Sequence, residues 1–142
     1  MAPVRIHLHD KLQWQKVADV AAPSLVPRLT KAELASHLAF HETGDDDTLQ
    51  LFETAYEAGA AIEVHAHRED EIIYILGGTM MLGQRELTAG SSIFVAGGTL
   101  YSFAAGAQGL RILNFRPRRD DTFITREMFM AERRSRVGTR AI

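Results

Sequence analysis

Gly59-Ala-Ala-Ile-Glu-Val-His65-Ala-His67-Arg-Glu-Asp-Glu71-Ile-Ile-Tyr-Ile-Leu-Gly-Gly78 is the stretch whose reading decides the fold. Side chains two apart on a β-strand point to one face, so a strand carrying His65 and His67 presents both imidazoles to a single point. Arg68-Glu69-Asp70 is charged and suited to a turn, and Glu71 opens the apolar run Ile72 to Leu76. A neighbouring strand that begins at Glu71 brings its carboxylate back to that point. Two neutral imidazoles and one carboxylate leave positions open on a divalent metal ion, an arrangement associated with Fe(II) and also usable by zinc, manganese or nickel. An isolated His-x-His pair is better explained by two solvated histidines on a surface strand. Here the pair sits inside a regular glycine frame.

Outward from this stretch, short apolar runs alternate with Gly59, Gly77, Gly78, Gly83, Gly90, Gly97, Gly98, Gly106 and Gly109. That spacing predicts many short antiparallel strands closing into a barrel or sandwich. The expected strands are Leu51 to Glu57, Ile62 to His65, Glu71 to Leu76, Ser92 to Val95, Leu100 to Ala104 and Leu110 to Phe115, several rich in β-branched or aromatic residues. Thr43-Gly44-Asp45-Asp46-Asp47 reads as a tight turn joining a strand over Ser36 to Glu42 to the next one. Just before it, Thr30 and Glu33 have capping-box spacing, which predicts a short turn of helix ahead of that strand. A second helix is expected from Thr125 to Arg134, with arginines near its negative end and a solvated, frayed basic tail through Arg140.

The set Gly59, His65, His67, Glu71 and Gly78 resembles the first motif of the cupin family, in which glycine, His-x-His, glutamate and glycine follow at these intervals. A second, partial motif follows at Gly90 to Ala105, matching at Gly90 and Gly98. It departs from the family pattern at Ala96, Tyr101 and Ala105, and Tyr101 stands where the family carries the histidine that completes the metal set. The resemblance implies an all-β fold, a single cupin jelly-roll barrel with short helical segments near the termini. One domain is expected over residues 1–142, with a core barrel at approximately 36–116. It also implies a divalent metal at His65, His67 and Glu71, and a homodimer built through the flanking strands. The leader from Ile6 to Val20, with Trp14, offers apolar material either for that contact or for covering its own barrel.

Tyr101 carries three readings. It replaces the third imidazole as a tyrosinate ligand, it contacts substrate as a hydrogen-bond donor or general acid-base group, or it packs beside Phe103. Glu63 shares the strand parity of His65 and His67, so alternation places it in the cavity as a spare carboxylate or proton carrier, unless the strand near Gly59 is irregular enough to turn it outward. Phe103 and either Met80 or Met81 are expected to line the same space. The other histidine pairs, His7 with His9 and His37 with His41, lack a glycine and carboxylate frame, and surface placement is expected for both.

Composition sets outer bounds. The 142 residues are 46% hydrophobic and 24% charged, an ordinary globular balance. A net charge of -2 recruits neither nucleic acid nor an anionic membrane. The chain has no cysteine, so disulfides and thiolate ligands are excluded and any metal is held by nitrogen and oxygen. Charge and histidine in the first ten residues, and no run as long as a membrane span, lead to the expectation of a cytoplasmic protein.

The expected function is a metal-dependent enzyme acting on a small organic substrate, with Tyr101 and Glu63 as catalytic groups. With Fe(II) the natural chemistry is a dioxygenase reaction, and with zinc or manganese an isomerisation, cyclisation or lyase step. The alternative, supported by Tyr101 at the histidine position, is a non-catalytic ligand-binding or regulatory cupin with a weakened metal site.

Overall fold

The computed structural model describes residues 3–140, with side chains described through residue 136. Arg140, at the end of the expected basic tail, has its side chain outside that range. Nine strands form one antiparallel sheet: β1 (Gln15–Lys16), β2 (His37–Glu42), β3 (Gln50–Tyr56), β4 (Ala61–Ala66), β5 (Glu71–Leu82), β6 (Arg85–Thr88), β7 (Ser92–Val95), β8 (Tyr101–Arg116) and β9 (Ile124–Thr125). One path runs β1-β2-β3-β8-β4-β9, while β5 pairs with β6, β7 and β8. Among the described residues three α-helices flank the sheet, α1 (Val17–Val20), α2 (Lys31–Leu34) and α3 (Arg126–Arg140), with short 3-10 turns at His9–Lys11 and Val26–Arg28.

Two of the expected strands are one. Leu100 to Ala104 and Leu110 to Phe115 lie within the 16-residue β8, which stays continuous through Gly106 and Gly109. The two halves of β8 have different neighbours: its first half pairs with β4 and its second with β3, and β5 follows it along both. The antiparallel pairing of β5 with β8 is irregular beside Gly78, where the backbone comes close to Gly109. Gly78 has φ +70°, and a Cβ there would come within 2.1 Å of the Gly109 carbonyl oxygen. Only glycine fits so close a backbone approach.

Local signals elsewhere hold. Thr30 accepts from the Glu33 amide at 3.1 Å while Glu33 accepts from the Thr30 amide at 3.0 Å, the reciprocal bonds of a capping box at the start of α2. α3 begins one residue after the expected start and runs past Arg134. The core is Ile62, Ile73, Ile75, Met80, Phe103, Leu110 and Ile112, contributed by β4, β5 and β8. Met80 is the methionine that turns inward, but it fills the core and is not among the residues around the cavity described next. No helix among the described residues is long and apolar enough to cross a membrane.

Candidate functional site

Inside the barrel lies a cavity of about 150 Å³ whose walls include His65 and His67 from β4, Glu71 and Ile73 from β5, and Tyr101, Asn114 and Arg116 from β8. Strand pairing sets the first contact. His65 is the register partner of Tyr101, and their rings lie 4.6 Å apart between centroids. The two imidazoles stand 4.8 Å apart at 79°. Each is oriented through Nδ1: His65 on the Glu63 carbonyl at 2.7 Å, and His67 on the carbonyl of Thr122. A carbonyl only accepts, so both rings carry the proton on Nδ1 and present Nε2 as a lone pair. Phe123 stacks on His65 at 4.4 Å and 9°, closing the site from the segment after β8.

Glu71 is 2% exposed and accepts three hydrogen bonds. Tyr101 Oη donates to Oε1 at 2.9 Å, while Arg116 Nε at 2.8 Å and Asn114 Nδ2 at 3.3 Å donate to Oε2. Arg116 is itself held, donating through Nη1 to the Asp120 carbonyl at 2.6 Å. Thr54 donates to Asn114 Oδ1 at 2.9 Å, which directs the amide nitrogen of Asn114 toward the carboxylate. Glu71 thus forms a buried ion pair with Arg116 whose remaining acceptor capacity is taken by neutral donors.

Burial governs protonation here. It lowers the His65 imidazole to about 4, with the neighbouring His67 adding to the effect, so His65 is neutral at pH 7. Burial and the Arg116 charge lower His67 likewise. Tyr101 is raised well above the ordinary phenol value by burial and by the Glu71 charge, which keeps its proton in place.

Glu63 is corrected. The pairing of β4 with β8 slips between Ile62 and His65, and this irregularity breaks the alternation that would put Glu63 beside the histidines. Its side chain is exposed and lies outside the cavity. Besides Glu71, the carboxyl that lines the cavity is Glu33 of α2, whose burial raises it above the ordinary carboxylate range. Glu33, Asn114, Arg116 and Phe123 were not expected at the site. The capping box located Glu33 as a helix cap, and nothing local marks Arg116, which is 45 residues from Glu71.

His65, His67, Glu71 and Tyr101 therefore share one cavity. As the side chains stand, no group of three or more His, Asp or Glu among the described residues is placed so that it could hold a metal ion. The donor set nonetheless fits a divalent ion in its chemistry. Two imidazoles present Nε2 with Nδ1 anchored on carbonyls, the usual outer-shell arrangement of a metal-binding histidine. The carboxylate has Oε2 fixed by Arg116 and Asn114, and Oε1 is held only by the Tyr101 proton.

No family model and no curated protein matches the chain. Solved structures do. An RmlC-like cupin from Shewanella frigidimarina NCIMB 400 superposes with TM-score 0.61 at 19% identity, over 82% of this chain and 93% of that one. The polyketide cyclase RemF from Streptomyces resistomycificus gives TM-score 0.61 at 19% identity, over 87% and 84%. Bacillus subtilis oxalate decarboxylase, described with Mn(II) centres, gives TM-score 0.53 at 16% identity, over 64% of this chain and 28% of its own. Proteins similar in fold thus include enzymes and a manganese protein. Identities this low establish the fold alone: with the antiparallel sheet described above, they show that this chain has a cupin-like, all-β jelly-roll fold.

Proposed function

We propose that this chain is a metal-dependent enzyme that acts on a small organic substrate in the barrel cavity, with His65, His67 and Glu71 holding a divalent ion and Tyr101 handling a proton. The observation that carries the reading is the pair of neutral imidazoles, each anchored on a carbonyl at Nδ1 so that Nε2 keeps its lone pair, in a cavity whose walls also include Glu71. A bound ion of this kind supplies Lewis-acid polarisation, or dioxygen chemistry where it is redox-active. Tyr101 keeps its proton at neutral pH and can deliver it to a substrate oxygen from Oη, which lies 2.9 Å from Glu71 Oε1. Arg116 and Asn114 hold the carboxylate against rotation. Phe123, Leu25 and Leu29 add apolar surface to the cavity wall.

A cavity of about 150 Å³ is smaller than the roughly 300–1,000 Å³ of pockets for drug-sized ligands, so the substrate is compact. The apolar walls of Ile62, Ile73 and Phe103 suit a substrate with few polar groups. A homodimer is part of the same proposal, supported by Ile72 and Phe94, which are paired across β5 and β7 with exposed side chains.

One observation favours a second reading, a ligand-binding module without catalysis. Both oxygens of Glu71 are already satisfied by protein donors. The deciding experiment is the metal content of the untagged protein by mass spectrometry beside His65→Ala/His67→Ala. Iron, manganese, nickel or zinc near stoichiometry, lost in the double variant, supports the enzyme and selects the assays. A protein that neither retains nor takes up metal sinks it in favour of the binding module.

A further inference from the structure

The outer face of the barrel carries a second cluster of imidazoles around a buried carboxylate. Glu53 lies on β3 between Phe52 and Thr54, which line the cavity, so it points to the opposite face, where a glutamate is ordinarily solvated. Its side chain is nevertheless only 4% exposed. On that face His41 reaches Glu53 Oε2 through Nε2 at 2.9 Å. The reason is a bulge: β2 pairs Phe40 with Phe52 and Glu42 with Leu51, so His41 is the extra residue. The leader contributes His9, whose Nε2 stands 4.0 Å from Glu53 Oε1.

Glu53 Oε1 is fully buried and no hydrogen-bond donor reaches it. Arg111 Nε, at 3.6 Å, is an ion-pair partner beyond hydrogen-bonding distance. Buried acceptors are nearly always satisfied, and an unsatisfied one calls for a strained role, a water or an ion. The adjoining groups are the ones that bind borderline divalent ions, two imidazole nitrogens facing the two oxygens of one carboxylate. His7 is close by, its ring 6.2 Å from that of His41, but it is engaged with Glu42.

We propose that His9, His41 and Glu53 form a second metal site, specific for a zinc-class divalent ion, which pins the N-terminal leader to the outer face of the barrel. His41 and Glu53 are held by the sheet. His9 is exposed and its Nε2 stands 4.0 Å from Oε1, so as the side chains stand the three do not yet form an ion site. Binding requires His9 to rotate inward, with water completing a tetrahedral shell. This site is independent of the cavity and of the function proposed for it.

Equilibrium dialysis of the full, untagged, metal-stripped chain against zinc chloride tests the proposal, with His65→Ala/His67→Ala introduced to silence the cavity. The expected result is one zinc per chain in that double variant, with affinity falling at least about tenfold when His9→Ala or His41→Ala is added, since even outer-shell partners contribute that much. In the otherwise native chain, His9→Ala removes the same single equivalent, and because His9 is exposed this variant keeps its fold. Zinc binding that is indifferent to both His9 and His41 overturns the proposal. So does a cavity variant, folded by circular dichroism, that binds none, and Arg111 is then the cation that balances Glu53.

Discussion

The inside and the outside of this barrel each set imidazoles against a strand glutamate, and the two carboxylates have opposite hydrogen-bond states. Glu71, inside, accepts from Tyr101, Asn114 and Arg116. Glu53, outside, has one oxygen on His41 and the other without a donor. A carboxylate held by three donors is positioned accurately, and a cation that joins it at Oε1 shares that oxygen with the Tyr101 proton or displaces it. An unsaturated one is costly to bury, and a cation relieves that cost. The inner arrangement therefore favours orientation, and the outer one favours capture.

The sharpest way to break this comparison is Arg116→Ala, which leaves Glu71 buried without its counter-charge. We expect a loss of about 3–5 kcal/mol in urea unfolding of the metal-free protein. A loss below about 1 kcal/mol would mean that the Arg116 charge does not hold Glu71 in the resting protein.

Protonation of His65 comes next. Its pKa is about 4 in the folded protein and about 6.5 when unfolded, so the unfolded chain binds more protons between those values. The stability attached to neutral His65 is therefore fully present above pH ~6.5 and declines as pH falls toward 4, by up to about 3 kcal/mol. Urea midpoints of metal-free protein at pH 7 and pH 4.5, compared with His65→Asn, should show the steeper decline in the native sequence. Parallel declines would show that His65 charges freely in place.

Tyr101→Phe removes the donor to Glu71 Oε1 and should cost about 2 kcal/mol, as for a hydrogen bond to a charged group. If the cavity binds metal, the same variant should hold it no less tightly, because the competing proton is gone. Weaker binding would instead mark Tyr101 as a ligand. The smallest effect is expected outside: Glu53→Gln removes a poorly satisfied charge and should change stability by no more than about 1 kcal/mol. A loss of several kcal/mol there would show that Glu53 is satisfied after all and that the two clusters are alike.

Much of this was legible along the chain, and the part that was not is physically consistent. The capping box at Thr30 and Glu33 and the strand at Ser92 to Val95 depend on neighbours within a few residues, and both occur where their signals lie. The short strands β6 and β9 were missed because Arg85 to Thr88 and Ile124 to Thr125 carry little apolar pattern and are held by their partners. Glu63 was expected in the cavity because strand alternation is a local rule, and a slip in the β4 to β8 register overrides it.

The sequence by itself determined the barrel and the elements that bear His65, His67, Glu71 and Tyr101, since glycine spacing and two-residue alternation are properties of contiguous chain. Only the tertiary structure decided what those groups touch. Arg116 reaches Glu71 across 45 residues, Thr122 orients His67 across 55, and His9 comes to Glu53 from the leader. Contacts between distant segments form only when the sheet closes, and no local pattern of residues encodes which side chains then share a carboxylate.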